Sequence, residues 1–461
     1  MNTRNLSYSE MDKNALIHPY TNLATHQQNG PLVIESGHGI YVTDEEGRSY
    51  IEGLGGLWST SLGFNEPELA EAAYAQLKAL PTYHSFNGMA PRPTIELADC
   101  LKDMVPIEDG RVFFANSGSE INDTIIKFIW HVSNITGKPD RKKIISRRRC
   151  YHGVTIATAS MTGLEACHAG FDLPLDRFVK CMCPDYYREG LPGESEEQFS
   201  ERCARDLVEV IEREGPDTIA AFFADPVIAG GGVVPPPAGY FEKIQKVLKS
   251  YGILFVADEV ICGFGRTGNA FATQTYDLKP DVITMAKALS SAYLPISAAV
   301  VAPSIWEPLM AGSEKYGALA HGFTYSGHPV SAAVALKTLE IYERRSTFAH
   351  ARKVSEHFLK RIDGFAGHPI VGDTRGVGLL GAVEMSPDPA SKAQFPAALK
   401  VGAYCAARCL EHGLIVRAIG DTIAFCPPLI ITESEVDEMF TRFSDALAET
   451  AEMVGQHAGY A

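Results

Sequence analysis

Two residues stand out for what their surroundings would do to them. Asp258 ends the apolar run Ile253-Leu-Phe-Val-Ala and is followed by Glu259. A carboxylate at the end of a buried strand is costly to desolvate without a partner. Asp258 therefore caps a helix, joins a salt bridge or faces a cationic ligand atom. Lys287 lies 287 − 258 = 29 residues later, after a second apolar run over 281–286. Lys243, Lys246 and Lys249 fall on a charged helical face, whereas Lys287 has small and apolar neighbours on both sides. Withdrawal from water lowers an ammonium pKa and leaves the neutral amine a usable nucleophile. The pair offers a nucleophilic amine and a fixed negative charge, one strand-helix-strand unit apart.

Pyridoxal 5′-phosphate (PLP) requires that pair: an amine to link to its aldehyde and a carboxylate near its pyridine nitrogen. Its phosphate needs a third element. Ser117-Gly118-Ser119 follows the apolar run 111–115 and precedes a helical stretch from Glu120. Free N–H groups at a helix start bind anions, and glycine lets the backbone approach closely. Tyr151-His152-Gly153 follows another strand-like run, where an aromatic ring could stack on a flat cofactor. The segment Gly263-Phe-Gly265-Arg-Thr-Gly268 matches a dinucleotide fingerprint. Five residues separate it from its strand and no clear helix opens at Gly268, so it reads as a loop shaping the mouth of the site.

These groups need a scaffold that ends strands side by side. Short apolar runs at 111–115, 143–146, 219–224, 253–257, 282–285 and 297–301 alternate with amphipathic stretches such as 195–214 and 239–251. The alternation predicts an α/β fold with a mostly parallel sheet between helices, and ligands in such sheets bind beyond the strands' carboxyl ends. The chain divides into an N-terminal arm and hairpin (1–65), a large domain (66–330) and an α+β region (331–461) that opens with a helix over 330–345 and carries short strands at 378–384 and 422–425.

Together these residues resemble the class III aminotransferases, PLP enzymes of fold type I. The resemblance spans nearly the whole chain. It is most specific over Phe255-Val-Ala-Asp258-Glu259-Val260-Ile-Cys-Gly263-Phe-Gly265-Arg266-Thr267-Gly268 and Ala286-Lys287-Ala288-Leu289. Within the class the chain looks most like the ω-amino acid or amine:pyruvate transaminases. The resemblance implies a small domain built from both termini, with Lys287 as Schiff-base lysine and proton shuttle and Asp258 at the pyridine nitrogen. It implies Tyr151 and Val260 against the ring faces, and Ser117, Gly118, Ser119 and His152 around the cofactor. Phe323 and Thr324 would reach the phosphate of a second subunit, so a homodimer with shared sites, possibly paired into a tetramer, is implied. Tyr20, Leu57, Trp58, Ala229 and, from the second subunit, Phe86 match pocket-lining residues, and Arg417 would bind the substrate carboxylate as a planar bidentate fork.

Two departures bear on the substrate. Ornithine and 4-aminobutyrate:2-oxoglutarate enzymes carry an acid near the Gly230 position to pair with this arginine, and Asp225-Pro-Val-Ile228-Ala229-Gly230-Gly231 has none there. That favours ping-pong transfer from an amine or ω-amino acid to pyruvate or a similar 2-oxo acid. Ile228 stands where many relatives have glutamine. An aminomutase or racemase on the same scaffold, a 2-oxoglutarate aminotransferase and a cofactor-free or nucleotide-binding descendant are the alternatives.

The composition agrees with this. Over 461 residues the net charge is −15, which argues against nucleic acid or an anionic membrane as partner. The ten cysteines form no CxxC and match no zinc spacing, so no metal site is expected and the thiols are expected to be free in a reducing cytoplasm. No secretory segment or membrane-length apolar run is visible.

Overall fold

The computed structural model describes residues 6–456. Its centre is a seven-stranded sheet in the order Arg111–Ala115, Ser297–Val301, Val282–Met285, Leu254–Asp258, Ile219–Ala224, Lys143–Arg147, Phe178–Cys181. Ser297–Val301 runs antiparallel to both its neighbours, and every other pair is parallel. The six remaining strands therefore all present their carboxyl ends at one edge.

The strands read as unbroken apolar runs because both faces are covered. Side chains alternate between two cores. Ala257, Ile283, Met285, Ala298 and Val300 pack with Leu97, Leu101, Val334 and Ile341. Val256, Val282, Ala299 and Val301 pack with Ile121, Ile125, Ile129 and Leu309 from the helices Gly118–Ile135 and Pro303–Tyr316. The helices Glu196–Glu214 and Tyr240–Tyr251 bury their apolar stripes over Phe222 and Phe255. The edge strand Phe178–Cys181 was not among those read from sequence. It has only four residues and Lys180 interrupts its apolar run.

Both termini contribute to the smaller part. The hairpin Tyr41–Asp44 and Ser49–Glu52 closes around Glu45–Arg48, and Ser49–Glu52 also pairs in parallel with Leu414–Ile415. A further sheet runs Val371–Val377, Leu380–Met385, Thr422–Phe425, Arg417–Ile419. The strand expected over 378–384 runs as Leu380–Met385 and is joined to the preceding strand Val371–Val377 by a turn at Gly378, whose φ of +59° suits glycine. The helix Pro329–Arg344 buries Ala332, Val334, Ala335 and Ile341 in the core of the central sheet, while the C-terminal core begins at Ala351. The change of core therefore falls after that helix rather than at residue 330.

Candidate active site

Asp258 closes the strand Leu254–Asp258 at the carboxyl edge and is buried. Its Oδ2 accepts from Asn122 Nδ2 at 2.8 Å and lies 2.7 Å from His152 Nδ1. Its Oδ1 accepts from the Val260 N–H at 3.1 Å. These contacts fix the carboxylate plane. The adjacent Glu259 turns the other way and accepts from the N–H groups of Ala272 (3.1 Å) and Thr273 (2.6 Å), with burial pushing its pKa up to about 7. One acid of the pair faces the cleft and the other pins the following loop.

Burial opposes the charged form of His152. The charge interaction with Cys150 and the hydrogen bond that its Nδ1 donates to Asp258 outweigh that, so its pKa lies well above the usual histidine value.

Lys287 follows the strand Val282–Met285 and opens a tight turn, Lys287–Ser290, with its own backbone left-handed at φ +48°. The turn is tied down around it. Tyr342 Oη donates to Ala288 O at 2.6 Å and also meets Ser61 Oγ, and Ser291 Oγ accepts from the N–H groups of Ser61 (3.1 Å) and Leu62 (2.9 Å). Among the described residues nothing hydrogen-bonds the Lys287 amine. Burial pushes its pKa down to about 8, against the opposing pull of the Asp258 charge.

Ser117 caps the helix Gly118–Ile135: its Oγ accepts from Glu120 N at 3.2 Å, and Glu120 in turn accepts from Asn116 N at 2.7 Å. Ile121 N bonds Ser117 O at 3.0 Å. The N–H groups of Gly118 and Ser119 remain without helical partners, as the first turn requires. A Cβ on Gly118 would lie 3.1 Å from Val260 Cγ1, a tight approach that Val260 would have to yield to by a few tenths of an ångström. Ser119 Oγ accepts from Val154 N at 3.1 Å.

Gly118, Ser119, Asn122, Tyr151, His152, Gly153, Asp225, Asp258, Val260, Ile261 and Lys287 line one cleft of about 120 Å³. Asn122, Gly153, Asp225 and Ile261 are the members not assigned to the site from sequence. Asn122 lies one helical turn beyond Gly118, on the same helix face. Asp225 follows its strand as Asp258 does, and its carboxylate pairs with buried Arg147 at 2.7 Å.

The substrate-side positions separate into groups. Tyr20 stands edge-on to Tyr151, with ring centroids 6.4 Å apart, and its hydroxyl lies 3.4 Å from Cys167 Sγ. Trp58 is 3% exposed and packs in one cluster with Ala229, Leu54 and Val227, whereas Leu57 is 61% exposed. Arg417 starts the strand Arg417–Ile419, and its charge acts on both Tyr151 and Lys287. Among the described residues no carboxylate pairs with it. The backbone at 231–233 is held by Arg149, through Gly231 O, and by Arg375, through Gly232 O and Val233 O.

Phe86, Phe323 and Thr324 do not line the Lys287 cleft of their own chain. Phe86 and Gly322 sit together on a separate concave face bordered by Ser85–Ala90 and Ala318–Gly322, with Phe323 and Thr324 next in sequence. The loop Gly263–Gly268 carries no phosphate geometry. A Cβ on Gly265 would strike Phe348, and Arg266 Nη1 donates to Pro427 O at 2.5 Å, so the loop braces the C-terminal region.

A flat ring with an anionic arm suits these residues: free N–H groups at a helix start, a fixed carboxylate, and an unpaired amine of lowered pKa. The aminotransferase class-III family model matches residues 23–447. A gamma aminobutyrate transaminase 1, mitochondrial, from Solanum lycopersicum is 48% identical over 425 residues, 92% of this chain and 82% of that protein. The omega transaminase of Pseudomonas jessenii, solved in complex with PMP, superposes with a TM-score of 0.96 at 50% identity, covering 98% of this chain and 99% of the other. A transaminase solved with L-alanine superposes with a TM-score of 0.90 at 52% identity, covering 91% and 99%.

Proposed function

The chain belongs to the class III aminotransferases, and from that premise we propose that it moves an amino group from an amine or ω-amino acid to pyruvate or a similar short 2-oxo acid. It is a PLP-dependent aminotransferase; the proposal concerns the substrates and the role of each residue. The observation that carries the acceptor is Arg417, a cation near Lys287 with no acidic partner among the described residues and Gly230 where an acid would neutralise it. An unpaired guanidinium at a site mouth suits a carboxylate. The relative solved with L-alanine fits the amino form of pyruvate. The 4-aminobutyrate named for the plant relatives is an ω-amino acid of the proposed donor class.

PLP, when bound, supplies an electron-withdrawing ring that takes up the electron pair left at the substrate's Cα. The protein's part follows from its own groups. Asp258, held by Asn122 and His152, would face the ring nitrogen and favour its protonated form. Gly118 and Ser119 N–H groups would hold the phosphate, while Tyr151 and Val260 would pack against the two faces of the ring. The Lys287 amine, with its pKa near 8, is neutral often enough at working pH to accept the Cα proton at Nζ and to return it. Arg417 orients the acid substrate. We place Phe86, Phe323 and Thr324 at a homodimer face, reaching the second site.

The test is a comparison of acceptors and of an Arg417→Ala variant. Pyruvate should exceed 2-oxoglutarate in kcat/KM, and the variant should raise KM for pyruvate at least ~10-fold while sparing an uncharged amine donor. Equal losses for both substrates would remove Arg417 from its role, and a preference for 2-oxoglutarate would overturn the acceptor.

A further inference from the structure

The N-terminal arm carries a side-chain cluster that amino-group transfer does not use. Asp12 lies on the helix Tyr8–Ala15, His18 in the turn after it, and His26 on the helix Leu23–Asn29. His18 Nε2 is 2.7 Å from Asp12 Oδ2, and His26 Nε2 is 2.6 Å from Asp12 Oδ1. The two imidazoles lie against each other with centroids 4.2 Å apart. The three donor atoms fall within 4.8 Å of one another, in the only such group among the described residues. His26 is buried, and the side chains of Asp12 and His18 are 13% and 25% exposed.

We propose that Asp12, His18 and His26 form a divalent transition-metal site, best matched to Zn²⁺. Two imidazole nitrogens and one carboxylate oxygen are a donor set that zinc takes, with a fourth position left for water. Tetrahedral zinc with bonds of about 2.0–2.2 Å sets its donors roughly 3.3 Å apart. The present spacings are those of proton-bridged pairs. Exchanging the bridging protons for an ion asks each nitrogen to retreat by about 0.6 Å, a small rotation for the partly exposed His18 and Asp12. The sequence hides this site because Asp12, His18 and His26 are spread over two helices and match no zinc spacing. Its occupancy acts on the arm: Tyr20 is two residues beyond His18 and touches Tyr151 and Cys167. An ion here ties that segment down beside the Lys287 cleft.

Tag-free holoenzyme titrated with Zn²⁺ against a chromophoric chelator tests this. One Zn²⁺ per chain is expected, with His18→Gln and His26→Gln each weakening uptake by more than about 10-fold. Glutamine can still donate to Asp12, which keeps the arm together. Zn²⁺ should also slow proteolysis within residues 8–29 of the wild type. No uptake by the wild type, or equal uptake by both variants, overturns the site. Co²⁺ bound to the wild type gives a reading that does not depend on any variant: a ligand field without a thiolate band supports the assignment, and a thiolate band places the ion on cysteine and overturns it.

Discussion

At the scale of single residues, the site turns on one amine taken out of water. Lys287→Ala should abolish turnover, measured as loss of donor-driven pyridoxamine phosphate formation. The lowered Lys287 pKa also couples to folding. Below about pH 8 the amine is charged both folded and unfolded, and the apoprotein bears the full cost of burying that charge. Between about 8 and the ordinary 10.5 the folded state has released the proton while the unfolded chain still holds it. Stability then rises with pH. Denaturant unfolding of the apoprotein should therefore find Lys287→Met more stable than wild type at pH 7, and the gap should narrow as pH climbs through that window. Lys287 and Asp258 were legible because each ends an apolar run, a context that differs from that of every solvated lysine in the chain. Asn122 was not. An asparagine one turn into a helix carries no mark of the carboxylate it holds until the strand and helix are assembled.

At the scale of elements, the helix Gly118–Ile135 divides duties that its sequence left undivided. Ser117 is expected at the cofactor, and its hydroxyl oxygen also caps Glu120 N. Ser117→Ala should cost about 1 kcal/mol of stability, visible as a lower Tm of the apoprotein, with little change in PLP affinity. Gly118→Ala should do the reverse, because the new methyl crowds Val260 in the cleft lining. A large loss of PLP affinity in Ser117→Ala would return that hydroxyl to the phosphate. The central strands were legible because burial on both faces leaves an apolar signature. Phe178–Cys181 escaped because an edge strand tolerates Lys180, and Val371–Val377 escaped because Asp373, Thr374 and Arg375 break its apolar run.

At the scale of the whole molecule, the concave face bearing Phe86 and Gly322 is where a second copy is expected. Light scattering at micromolar concentration should give twice the chain mass. Phe86→Asp should lower that mass in a concentration-dependent way and reduce activity with it. A wild-type monomer with full activity would end the shared-site reading. The helix Pro329–Arg344 shows what a linear sequence conceals at this scale. It follows the segment around His321 but packs against Pro67–Ala79 and Arg92–Met104, long past in the chain. The change of core could be located only once the helix was in place.

The turn at Lys287 carries one more consequence. Lys287, Ser291 and Ala292 all hold left-handed backbones, at φ +48°, +50° and +62°, a conformation that costs L-residues roughly 1–2 kcal/mol each. Asparagine or glycine would sit there more comfortably. Selection of variants for heat resistance alone should therefore drift toward those residues at Lys287 and yield durable proteins that no longer turn over. The working enzyme persists in that contest only where each round also scores activity.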